Sequence, residues 1–97
     1  MTVVEKDRVY NCVIIPNGYW EGFHLVSNII EQQLNIKFKH KLDDFDSYYW
    51  IFDFEGLEVN LHYHEMIGDV ELFVSKDKKE NIQLLTSLSG QLKKHLH

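Results

Sequence analysis

The chain has 97 residues, 44% of them apolar and 13% aromatic, one cysteine, one proline and a formal net charge of −5. That length suits a single domain, and that apolar content suits one compact core rather than a disordered tail. Cys12 alone excludes an internal disulfide and a multi-cysteine metal site, and the acidic balance argues against a nucleic-acid binder, which needs a basic footprint.

The opening residues, Met1-Thr2-Val3-Val4-Glu5-Lys6-Asp7, lack the basic and apolar regions of a secretory signal. No apolar run approaches the roughly 18 residues of a membrane span. A cytoplasmic location and no membrane partner are therefore expected. Residues 9–15 (Val-Tyr-Asn-Cys-Val-Ile-Ile) are rich in β-branched and aromatic types, and Pro16-Asn17-Gly18 ends them as a turn. The period then changes. Trp20, Phe23, Val26, Ile30 and Leu34 recur at three and four, with Ile29 beside them, and predict an amphipathic helix over 19–34. Ile36, Phe38 and His40 alternate with Lys37, Lys39 and Lys41, which predicts a strand with a basic outer face. Asp43, Asp44 and Asp46 fall in the loop that follows.

Residues 48–54 and 57–64 predict a hairpin across Glu55-Gly56. A two-residue loop pairs Phe54 with Leu57, Phe52 with Val59, Trp50 with Leu61 and Tyr48 with Tyr63, so one face is wholly apolar or aromatic. The other face pairs Asp53 with Glu58, Ile51 with Asn60 and Tyr49 with His62. A turn near Met66-Ile67-Gly68 leads into a strand over 69–75, with Val70, Leu72 and Val74 on the core face and His62 opposite Glu71. A last helix starts from Asp77 as N-cap with Glu80 three positions on, a capping-box-like pair, and its stripe is Ile82, Leu85, Leu88 (or Ser89), Leu92 and Leu96. Lys93, Lys94 and His95 suit its negative end.

The order β-α-β-β-β-β-α predicts an α+β two-layer sandwich, with two helices on one face of a mainly antiparallel sheet and the other face left to solvent or a partner. The expected core is Val13, Phe23, Val26, Ile30, Trp50, Phe52, Val59, Leu61, Leu72, Leu85, Leu88 and Leu92.

Charge is distributed unevenly. Residues 42–75 hold nine carboxylates and no lysine or arginine, so this stretch carries −9 and the remainder +4. A field of one sign steers cations or basic partners. The outer sheet face mixes these acids with Tyr49 and Phe73, and aromatics favour interface centres. Asp53 opposite Glu58 is a like-charge pair, which destabilises by up to about 1 kcal/mol unless water screens it or a cation meets it. An ordinary solvated polar face, which keeps sheets from aggregating, accounts for the same residues. His62-Tyr63-His64 places two imidazoles on one face, where Glu58 or Glu71 could add a carboxylate to a metal site, but surface histidines beside acids are the plainer reading. Cys12 sits in an apolar strand as a small hydrophobe, with no adjacent base in sequence to activate it. The Asp43–Asp46 cluster lacks the glycine and distal glutamate of a calcium loop. Lys37, Lys39 and Lys41 look like an edge protected against pairing. No cofactor and no metal are expected.

Size, acidity, the lack of catalytic motifs and the α+β order together resemble the small cytoplasmic immunity proteins of bacterial toxin systems. The resemblance covers the whole chain as a type, and no motif carries a residue over. It implies a binder that blocks a toxic enzyme, such as a basic nuclease, without turnover. The expected contact residues are Asp43, Asp44, Asp46, Tyr49, Asp53, Glu55, Glu58, His62, Glu71 and Phe73, facing a basic protein partner. The alternatives are a small metal-dependent or acid–base enzyme centred on His62, His64, Glu58 and Glu71, and a structural domain with no distinctive site.

Overall fold

The computed structural model describes residues 3–96. Six strands, β1 (Val4–Glu5), β2 (Val9–Ile15), β3 (His40–Asp43), β4 (Ser47–Phe54), β5 (Leu57–His64) and β6 (Val70–Ser75), form one sheet in the order β1-β2-β6-β5-β4-β3. Every neighbouring pair is antiparallel. Helices α1 (Tyr19–Asn28) and α2 (Asn81–Lys94) share one core with the sheet's inner face, and the expected α+β sandwich is the fold. Among the described residues no helix is long and apolar enough to cross a membrane.

The β4–β5 hairpin has the register expected from its alternating pattern, from Phe54↔Leu57 through Tyr48↔Tyr63. Its turn consists of Glu55 and Gly56 with φ of 50° and 83°, the paired left-handed conformations whose twist matches that of the flanking strands. Trp50, Phe52, Val59 and Leu61 face the helices and are buried. His62 lies opposite Glu71, also as expected.

The helical segment spans the expected residues but widens at its end. A π-helical turn, Ile29–Gln33, follows α1, with the Leu34 N–H donating to the Ile29 carbonyl at 3.1 Å. The adjacent Ile29 and Ile30 are both buried. Asn35, at φ 56°, turns the chain out of the helix in a conformation that asparagine tolerates.

Four expectations need correction. The run 36–41 is not a strand: the chain is irregular through Phe38, bends at Lys39 and pairs only from His40, so Asp43 closes β3 instead of opening a loop. Ile36 and Phe38 still pack on the core, because side-chain alternation survives in an extended but unpaired segment. Val13 faces outward opposite Glu71, while Tyr10, Cys12 and Ile14 face the core. The run Cys12–Ile15 is apolar throughout, so its composition carries no parity, and pairing with β6 decides it. The last helix starts at Asn81, without a capping box. Asp77 Oδ1 accepts from the Asn81 side chain at 3.1 Å, and the Asp77 N–H donates to Ser75 Oγ at 3.2 Å. Finally, β1 precedes the expected elements as an edge strand of two residues, too short to show a period.

Candidate functional site

The uncovered face of the sheet follows directly from the register. On it Tyr49 stacks on His62 with centroids 4.5 Å apart, and Phe73 meets the same ring edge-on at 5.8 Å. His62 Nδ1 lies 3.1 Å from Glu71 Oε1. Burial opposes ionisation of Glu71, but hydrogen bonds from His62 and Asn11, helped by the charge of Lys6, outweigh it and hold the carboxyl below its usual range. Tyr49, His62, Glu71 and Phe73 are therefore one packed, half-buried unit. Asn11, buried on the same face, belongs to it and was not among the expected site residues. Only its pairing partner, Phe73, reveals its position.

Asp53 and Glu58 do face each other, but they do not await an external cation. Lys39 Nζ lies 2.9 Å from Asp53 Oδ1 and 3.0 Å from Glu58 Oε2. Hydrogen bonds to Asp53 and then to Glu58 raise the Lys39 pKa. The expected separation of a basic lysine edge from an acidic face is thus corrected. The bend at Lys39 breaks strand alternation and delivers its side chain across β4, while Lys41 Nζ lies over the Trp50 ring at 4.3 Å from the centroid. Glu55 sits in the exposed turn beside this ion pair, at the opposite end of the sheet from Asp43, Asp44 and Asp46.

At that opposite end three turns meet: 16–18, 44–46 and 65–69. Backbone bonds tie them together, Glu65 N–H to the Asp46 carbonyl at 2.9 Å and Tyr19 N–H to the Gly68 carbonyl at 2.8 Å. The Tyr19 ring lies against Gly68, where a Cβ would fall 2.5 Å from it, so only glycine fits. Tyr19 itself has φ 51°, a conformation rare for a bulky residue.

The carboxylates here are met by neutral donors. Asp43 Oδ1 accepts from Trp50 Nε1 at 2.8 Å, Asp44 Oδ1 from the Phe45 N–H at 2.8 Å, and Asp69 Oδ1 from the Asn17 N–H at 2.9 Å. Glu65 Oε1 lies 3.3 Å from the Tyr48 hydroxyl. Asp46 Oδ2 lies 3.1 Å from His64 Nε2, and His64 Nδ1 accepts from the Met66 N–H at 3.1 Å, which places the ring hydrogen on Nε2, toward Asp46. Among the described residues no lysine or arginine forms an ion pair with these five acids. The sequence reading included Asp43, Asp44 and Asp46 but missed Glu65 and Asp69. Their position inside the same lysine-free stretch was the available signal.

Most of the histidine nitrogens at this end are engaged within the chain. Both His64 nitrogens are engaged, His62 Nδ1 is engaged, and His62 Nε2 is buried with no partner. Glu58 belongs to Lys39, away from them. Among the described residues no group of three or more His, Cys, Asp or Glu is arranged to hold a metal. A cleft of about 190 Å³ does lie beside His62, His64, Asn11 and Glu71. Cys12 is buried, and burial pushes its thiol pKa up, with the Ser89 hydroxyl 3.3 Å away. A thiol so placed is a packing group.

Residues 1–93 match a family model described as "Protein of unknown function (DUF3630)". The chain belongs to that family. The DUF3630 match covers every strand and all of the core side chains named above. No curated protein and no solved structure matches the chain.

Proposed function

We propose that this DUF3630 chain is a stoichiometric protein-binding module that presents the turn end of its sheet to a basic protein partner. The observation that carries the reading is the set of five carboxylates, Asp43, Asp44, Asp46, Glu65 and Asp69, with which no lysine or arginine among the described residues forms an ion pair. Their charge is left to act on a partner, whereas that of Asp53 and Glu58 is met by Lys39. Toxin neutralisation of the immunity type is the finer proposal. It rests on the resemblance in size, acidity and fold order, and it fits a basic catalytic cleft built for phosphate. The mechanism is occlusion. The aromatic unit of Tyr49, His62 and Phe73 adjoins the acidic end on the open face and extends the contact area.

The test is binding kinetics with a partner captured from the native host at low salt. Screening shortens electrostatic reach to about 8 Å at physiological ionic strength, so association should slow steeply as salt rises while dissociation changes less. Neutralising Asp44, Asp46 and Glu65 together (to Asn, Asn and Gln) should slow association at least about tenfold at low salt, as steering by several charges implies. Neutralising Asp53 and Glu58 should slow it far less. Equal effects from the two sets would remove the assignment of the turn end.

A further inference from the structure

The turn end is also where the protein exposes its large apolar side chains. Phe45 is 96% exposed, Met66 82% and Ile67 64%, on two turns joined by the Glu65 N–H to Asp46 carbonyl bond, and Leu42, Tyr19 and Trp20 are exposed too. They are six of the eight exposed large hydrophobic residues described. Scattered apolar residues on a surface mean little, but a contiguous group rimmed by charge marks an interaction site.

These side chains are held outward by the backbone. In the 44–46 turn the Asp44 N–H donates to the Ser47 carbonyl and the Phe45 N–H to Asp44 Oδ1, both at 2.8 Å, which fixes the turn that carries the exposed ring. In the 65–69 turn His64 organises everything. Its Nδ1 accepts from Met66 N–H, and its carbonyl accepts from Ile67 N–H at 3.1 Å and Gly68 N–H at 2.7 Å. The Asp46 carbonyl and carboxylate then lock the two turns to each other. The result is a pre-organised apolar ridge, which loses little freedom when covered.

We propose that Phe45, Met66 and Ile67 are the anchors of a docking surface whose occupant is an amphipathic basic segment of a partner protein, with apolar side chains covering the ridge and Lys or Arg reaching the flanking acids. The proposal rests on the binding reading above and names its partner chemistry. Charge complementarity selects the occupant. Asp44, Asp46, Glu65 and Asp69 lie in the same two turns as the ridge and Asp43 directly precedes them, with Lys6 the one lysine lining the cleft beside Ile67, so an anionic membrane surface would be repelled. Two copies joined symmetrically through it would set the same five acids against each other.

Two synthetic peptides of equal positive charge separate the possibilities, one of lysine and glycine and one of lysine and leucine at amphipathic helical spacing. Titrated into the intact, isotope-labelled protein at low salt, the lysine–leucine peptide should shift amide signals of 42–47 and 64–69 and bind at least tenfold more tightly than the lysine–glycine peptide. Phe45→Ser and the double variant Met66→Ser, Ile67→Ser should each erase that tenfold difference, with thermal melts confirming that they remain folded. If both peptides bind equally to the wild type and Phe45→Ser changes nothing, the anchor proposal falls while the electrostatic reading stands. If neither binds, the basic-partner reading falls with it. Phe45-dependent self-association in sedimentation, or binding to phosphatidylserine vesicles, would overturn the choice of occupant.

Discussion

The two ends of the β4–β5 hairpin carry similar acids in opposite electrostatic circumstances. At the Glu55–Gly56 turn, Asp53 and Glu58 share Lys39, which arrives from a segment that belongs to neither strand. At the other end, Asp43, Asp46 and Glu65 receive hydrogen bonds from an indole, an imidazole and a hydroxyl. A neutral donor orients a carboxylate and leaves its charge standing, while a lysine shared by two carboxylates orients both and offsets one of their two charges. Fourteen positions separate Lys39 from Asp53, so a charge count along residues 42–75 merges two ends that differ in the field they project.

The comparison can be broken most forcefully through Trp50, which serves the core and the acidic end at once. It packs edge-on against Phe23 and Phe38 and donates to Asp43. Trp50→Ala should cost about 3–5 kcal/mol in denaturant unfolding, as large buried aromatics do. Trp50→Phe should cost less while freeing Asp43 from its donor. If Trp50→Ala costs under about 1 kcal/mol, the inner face has been assigned wrongly.

Glu71 tests the half-buried centre between the two ends. Its folded pKa lies below the unfolded value, so its contribution is present above the unfolded carboxylate range and is lost as pH falls through the folded value. Glu71→Gln should therefore lower stability at neutral pH by about 1.5–3 kcal/mol, the scale of a charged hydrogen bond. The gap between variant and wild type should close as the medium becomes acidic, in melts recorded as a pH series. A gap that persists unchanged in acid would mean that the carboxylate's charge is irrelevant there.

The smallest effect is expected at Lys39. Lys39→Met exposes Asp53 to Glu58, so stability should fall slightly, and added salt should restore it. In that background Glu58→Gln should recover the loss, while in the wild type the same change should do little. A double-mutant cycle with no coupling would show that the bridge carries no energy.

Much of this architecture was legible because period and turn chemistry agree. The β4–β5 pairing, the His62–Glu71 juxtaposition and both helices follow from apolar spacing and from Glu55-Gly56. The parity of β2 was not legible, since Cys12 through Ile15 offers no polar residue to mark an outside. Lys39 was misread because regular alternation was extended into an irregular segment. Asp43, Asp44 and Asp46 were legible as a loop-side cluster, but the weight of Phe45, Met66 and Ile67 was not. An apolar residue in a turn can fold back or point out, and hydrogen bonds to His64 and Asp44 decide which.

The strand order has a consequence for how the chain assembles. β2 leads through α1 to the far edge strand, and the meander then returns until β6 lies beside β2. Strands β3 to β6 can pair through short local loops, but the β2–β6 seam joins distant parts of the sequence: Asn17 and Asp69, bonded at its end, are 52 positions apart. Closing that seam carries the largest loop entropy in the sheet and is the slow step that its topology imposes. The ladder amides of β4 and β5 should then gain protection early in refolding, with those of β2 following when the seam closes.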